Sequence, residues 1–136
     1  ILQGWTLDLS SARKLGVKST GNAIRSPSSL PSPQVGNVTL SGGSKSRDEL
    51  VLEMGSGLLV TSMIGSTVNP NTGDYSRGAA GHWVENGQIS YPVSECTIAG
   101  NLNDMLLSLV AANDARAYVS WRVPSLLVEG MKIAGK

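Results

Sequence analysis

Asn86-Gly87 stands between two strand-like runs, Gly-His-Trp-Val at 81–84 and Gln-Ile-Ser-Tyr at 88–91, and this dipeptide constrains the fold more than any other feature. Both central residues of a type I′ turn need positive φ, which Asn tolerates and Gly adopts freely. Asn-Gly in that setting therefore specifies an antiparallel hairpin. The surrounding stretch, 69–101, alternates turn signals with strand-like runs without a break. Sixteen glycines, six prolines and no Phe point the same way, towards many tight turns and a core of Leu, Val, Ile and Met.

Trp5, Leu7 and Leu9 alternate with Thr6 and Asp8, the period of a half-buried strand, and residues 11–15 then form one helical turn stopped by Gly16. Three prolines in 26–34 fix their own φ and bias their predecessors to extended backbone, so this run is an ordered loop or connector. Strand character resumes at 37–40. Ser46 with Glu49 three residues on has capping-box spacing, which predicts a short helix over 46–54 ended by Gly55. The apolar run 57–65, bounded by glycines, is of strand length, Pro70-Asn-Thr-Gly73 makes a turn, and the chain is extended through Val84. Leu102, Met105, Leu106, Leu109 and Val110 share one helical face, predicting a longer amphipathic covering helix over 102–112 with Asn101 as N-cap. Two further strands, 117–123 and 126–134, flank Pro124, with a bulge or turn at Glu129-Gly130. The expected fold is a β-rich α+β domain with short, mostly antiparallel strands, that one longer helix and one or two short helical turns. At 136 residues it makes a single domain, 1–136. Because Ile1 stands where Met would open a gene and strand character begins at once, a fragment of a longer protein is expected.

Eleven Lys and Arg nearly balance ten Asp and Glu. The small clusters at Arg13-Lys14-Lys18 and Lys45-Arg47 are too sparse for a phosphate-binding stripe, so no direct nucleic-acid binding is expected. No apolar run approaches the roughly 20 residues of a membrane helix, and the single Cys96 cannot form an internal disulfide. A cytoplasmic setting with no membrane association follows.

Catalytic chemistry needs a base beside a nucleophile, paired carboxylates or ligands at metal spacing, and none is evident. His82 is the one histidine, so no pair of imidazoles can grip zinc within the chain. Its place in a predicted strand gives it a structural reading. Cys96 has no dedicated base and reads as a small buried hydrophobe. No catalytic or metal residue is expected. The polar loop of Asn69, Thr72 and Asp74, with Arg77 and His82 beyond it, is the candidate surface for a peptide or partner. Asp74 can also cap local amides, and Arg77 can hold a carboxylate or simply fix a loop.

The run NPNTGDYSRGAAGHWVENGQISYPVSECTIAGN, with SARKLGVKSTGNA near the start and EGMKIAGK at the end, resembles the C-terminal domain of the TldD/PmbA family, the modulators of DNA gyrase. The segments are more similar to the PmbA (TldE) branch than to TldD. The resemblance implies a bacterial, cytoplasmic subunit that pairs with a TldD-like subunit in a heterodimeric zinc metallopeptidase acting on small or unfolded peptides, such as a microcin precursor or an antitoxin. The family's TldD branch carries a His-Glu-x-x-x-His motif upstream of this region and a cysteine ligand in its last part. Here Val119-Ser-Trp-Arg-Val-Pro124 occupies that last part without a cysteine, and Cys96 lies earlier. The resemblance thus implies no cofactor in this chain, zinc in the partner, and no peptidase activity of the chain alone. Two alternatives stay open: an interaction module for gyrase or an antitoxin, and a TldD-type catalytic subunit whose zinc motif lies outside this sequence.

Overall fold

The computed structural model describes residues 7–135. In chain order its elements are α1 (Leu9–Leu15), β1 (Ala23–Ile24), β2 (Ser32–Pro33), β3 (Val38–Thr39), α2 (Arg47–Met54), β4 (Gly57–Val68), β5 (Asp74–Glu85), β6 (Gln88–Asn101), α3 (Leu102–Ser108), β7 (Val110–Ala111), β8 (Trp121–Arg122), β9 (Leu126–Leu127) and β10 (Lys132–Ala134). This is the strand-rich α+β fold the sequence predicts, with mostly antiparallel pairing. Its contacts gather into two compact units, Ile1–Leu40 with Arg116–Val123, and Ser41–Ala115 with Pro124–Lys136.

In the larger unit the sheet order is β10-β6-β5-β4, with every pair antiparallel. Glu85 pairs with Gln88, so Asn86 and Gly87 alone make the turn, at φ 50° and 73° as a type I′ hairpin requires. The three hairpin strands run 12, 12 and 14 residues, well beyond the short strands expected. The reason lies in the glycines, which punctuate the sequence yet sit inside the ladder. A Cβ at Gly81 would collide with the Leu59 carbonyl, so Gly81 lets two backbones approach closely. Gly65, at φ 73°, lies where the β4–β5 register slips between Ile64 and Thr67. A second slip leaves Thr61 unpaired on β4. On β6 the register jumps between Cys96 and Val93, where Glu95 takes a positive φ of 57°.

Buried Ala79, Cys96 and Ile98 form the core of this sheet, with Leu58, Val60, Tyr75, Val93 and Met131 packed against them. The Cys96 thiol donates to the Ala79 carbonyl at 3.0 Å across the β5–β6 pair, so it is the small buried hydrophobe its sequence setting suggests. Truncating Ile98 would remove apolar contacts with no solvent to replace them, a loss of about 2–5 kcal/mol for an aliphatic-to-alanine change.

The capping box on α2 is complete: the Glu49 carboxylate accepts from the Ser46 N–H at 2.7 Å, and Ser46 Oγ accepts from the Glu49 N–H at 3.3 Å. Gly55 ends the helix at φ 67°, and its carbonyl receives the Gly87 N–H at 2.7 Å, tying the helix end to the hairpin turn. Asn101 does cap α3, its Oδ1 accepting from the Asn103 N–H at 3.0 Å. The helix does not reach 112, however. It stops at Ser108, Leu109 turns extended, and Val110 and Ala111 pair with Leu127 and Leu126. Gly43 also donates to the Ala111 and Ala112 carbonyls, and Ala112 donates to Ser125. Backbone groups that a longer helix would have paired internally are claimed by neighbours distant in sequence. No residue of α3 is buried, and Leu107 is 88% exposed, so its stripe covers less than its spacing promises.

In the smaller unit Asp8 caps α1 by accepting from the Ser11 N–H, and Gly16, at φ 66°, closes it with Val17 N–H to Ala12 O at 3.0 Å. The expected strand over 5–9 is corrected accordingly: Leu9 opens the helix because Asp8 before it is an N-cap, while Trp5 lies outside the described residues. Leu7 is buried and receives residues 19 and 20 through the Ser19 hydroxyl and the Thr20 N–H. β1 pairs with β2, which lies within the proline-rich connector, and β3 pairs in parallel with β8. The strands expected over 117–123 and 126–134 are shorter than predicted, contracting to β8, β9 and β10, with Gly130 bending the chain at φ 77°.

Candidate functional site

The polar loop is the turn between β4 and β5. Asn69 Oδ1 accepts from the Asn71 N–H at 3.0 Å, an Asx turn, and the Thr72 hydroxyl donates to Asp74 Oδ2 at 2.6 Å. Asn101, at the end of β6, donates through Nδ2 to the Thr72 carbonyl at 2.8 Å, while the Gly73 carbonyl accepts from the Leu102 N–H. Asn69, Thr72 and Asp74 are thus brought together, with Asn101 as a fourth member that the loop sequence does not reveal. Its signal lay in its being a helix cap as well. These bonds fold the turn and fasten it to the start of α3. Asn69, Thr72 and Asp74 all remain exposed.

Arg77 and His82 lie further along β5. Arg77 reaches across the sheet, its Nε donating to the Gly65 carbonyl at 2.6 Å, where the β4 ladder slips. His82 sits mid-ladder between Leu59 of β4 and Pro92 of β6, half-buried, five positions beyond Arg77. The structure therefore gathers the loop residues but spreads Arg77 and His82 along the strand.

The structure also forms an apolar groove of about 350 Å³ that sequence reasoning did not find. It is lined by Leu50, Val51 and Met54 of α2, Leu58, Leu59, Val60 and Met63 of β4, Tyr75, Ile98, Met105 of α3, Leu126 and Leu127 of β9, Val128 and Met131, with Arg47 and Ser125 also on its wall. All four methionines of the chain line it. Thioether side chains are flexible and polarizable, suited to apolar surfaces of irregular shape. Ser125 is fixed there by Asp114, which accepts its N–H and its hydroxyl at 2.7 Å each. The Ser125 hydroxyl and then its N–H hold the Asp114 carboxyl below the usual aspartate value.

A metal site would need three or four His, Cys, Asp or Glu side chains converging. Among the described residues no three of them do. Cys96 is buried with its thiol turned to a backbone carbonyl, and His82 is alone of its kind. The donor set does not fit zinc, and no hydrolytic step can be drawn through these residues.

These features define a strand-rich α+β fold built on one long antiparallel hairpin, with an Asx-turn loop, a methionine-lined groove and, among the described residues, no metal constellation. Residues 1–135 match the family model of the PmbA/TldA metallopeptidase C-terminal domain, and the chain belongs to that family. It is 48% identical over its whole length to the metalloprotease PmbA of Escherichia coli O157:H7, and 46% identical over 99% of its length to the PmbA homolog of Haemophilus influenzae. In each case it spans 28% of the relative's length. A TldD homolog of Buchnera aphidicola is 28% identical over the whole chain, which covers 27% of it. Among solved structures, a proposed modulator of DNA gyrase from Bacteroides thetaiotaomicron superposes with a TM-score of 0.79 at 36% identity, covering 99% of this chain and 29% of that one. TldE from Thermococcus kodakarensis superposes at 0.83 with 25% identity, covering 97% and 31%.

Proposed function

We propose that this chain serves as the C-terminal domain of a PmbA-like subunit that does not itself cleave, working in the cytoplasm beside a TldD-like subunit that holds zinc and hydrolyses small or unfolded peptides. The observation that carries this reading is the PmbA-type sequence, 48% identical to one PmbA against 28% to one TldD homolog, and it is supported by the lack, among the described residues, of three converging His, Cys, Asp or Glu side chains. No helix among the described residues is long and apolar enough to cross a membrane. An extended peptide has a place to add: β4 forms one edge of the sheet among the described residues, and main-chain hydrogen bonding to such an edge is sequence-tolerant.

The test is peptide hydrolysis with zinc analysis on the full-length protein alone, its TldD-like partner alone, and the two mixed. Activity confined to the mixture, or raised by it, with zinc following the partner, is the expected result. Hydrolysis by the full-length protein alone, with one tightly held zinc per chain, would overturn the reading. A mixture no more active than its parts would favour an interaction module instead.

A further inference from the structure

Charge is not spread evenly over this nearly neutral chain. The unit formed by Ile1–Leu40 and Arg116–Val123 holds six cations, Arg13, Lys14, Lys18, Arg25, Arg116 and Arg122, against one anion, Asp8, a net charge of +5. The other unit holds five cations against nine anions, a net −4. All six cations are exposed, whereas Asp8 is only 3% exposed and is spent on the N-cap of α1. Both ion pairs among the described residues, Lys45–Glu53 and Arg47–Asp48, lie in the other unit. The smaller unit thus presents six cations and no exposed carboxylate. A unit of this size has a radius of gyration of roughly 10 Å, close to the Debye length of about 8 Å at physiological salt. Its charges therefore act on an approaching ligand as one field.

Two of these cations bracket exposed aromatic side chains. Between Arg116 and Arg122 stand Tyr118, 84% exposed, and Trp121, 61% exposed, the latter held by the pairing of β8 with β3. Large aromatic surface left in solvent beside fixed positive charge suits a partner offering apolar side chains and carboxylates together.

We propose that this basic unit docks an acidic, extended polypeptide segment, with its carboxylates on the cations and its apolar side chains on Tyr118 and Trp121. The choice of polypeptide rests on the peptidase-subunit reading above, in which an unfolded peptide is the ligand at hand. A long nucleic acid fits less well. A duplex carries one charge per 1.7 Å and offers no apolar side chains to Tyr118 and Trp121.

The full 136-residue chain is titrated into a fluorescein-labelled peptide of alternating Glu and Leu, into its Lys-for-Glu counterpart, and into an oligothymidine of equal charge, with anisotropy read at low and high salt. The Glu peptide should bind, lose affinity with added salt and bind more tightly than the other two probes. R116E/R122E should weaken it about tenfold, a loss of about 1.4 kcal/mol. Lys132→Glu, on β10 of the other unit, should leave it unchanged. Should R116E/R122E lose its circular dichroism, K14E/K18E, altering two exposed side chains at and beyond the end of α1, replaces it with the same expectation. Equal binding of the Lys peptide, tighter binding of oligothymidine, indifference to charge reversal, or self-association at low salt that excludes the peptide would each overturn the proposal. No protease is present in this assay, so its failure leaves the hydrolysis test standing, and the reverse holds as well.

Discussion

Gly81 shows how much one residue can fix. It is buried mid-ladder in β5, and the Leu59 carbonyl of β4 occupies the space a Cβ would take. Gly81→Ala must push two paired backbones apart, so it should cost about 2–3 kcal/mol, read as a shift in the denaturant midpoint. Gly36→Ala is its control: with open space around it and no positive φ, it should stay within about 0.5 kcal/mol of the parent. In the sequence both are simply glycines. The loop residues fare differently, because Asx-turn chemistry acts over three or four positions and makes Asn69, Thr72 and Asp74 recognisable as a group. Asn101 is fully visible only as a helix cap; its bond to the Thr72 carbonyl closes 29 residues of chain.

Elements governed by short-range chemistry match their prediction closely. The Asn86-Gly87 turn has the expected two-residue register, and α2 starts and ends at its capping box and Gly55. Ser46→Ala removes the acceptor for the Glu49 N–H and should lower stability by about 1 kcal/mol. Restoration by Ser46→Thr, which keeps the hydroxyl that accepts from and donates to Glu49, and little change in the hairpin's exchange protection, would assign that loss to the cap. α3 behaves otherwise. Its apolar spacing continues through Val110, yet the last residues leave the helix because Leu126 and Leu127 offer strand pairing. Periodicity describes one segment's own surface and is blind to partners fifteen and seventeen residues away.

For the molecule as a whole, three carboxylates link stability to pH. Asp8 is held below its ordinary value by Ser11, through its side chain and its N–H, Glu49 by the Ser46 N–H and hydroxyl, and Asp114 by the Ser125 hydroxyl and N–H. Each is depressed in the folded state. Its stabilisation is therefore complete above the ordinary values of 3.8 for Asp and 4.5 for Glu, and is lost as pH falls through the lower folded ones. The denaturation midpoint should hold steady above about pH 5 and fall towards about pH 2. Asp114→Asn should flatten that fall; an unchanged slope would remove Asp114 from the account. The two charged units belong to this level too. A near-zero net charge conceals them, because the basic unit joins two stretches that β4, β5 and β6 separate in the sequence.

The chain's own residues carried the hairpin, the caps, the strand-rich class, the turn loop and the resemblance to its family, because each depends on neighbours within a few positions or on an ordered motif. Folding in three dimensions set the length of the central strands, the early end of α3, the methionine-lined groove and the gathering of six cations on one unit. Those features arise where backbone groups and side chains far apart in sequence compete for the same partner or share the same space, and no local pattern records the winner.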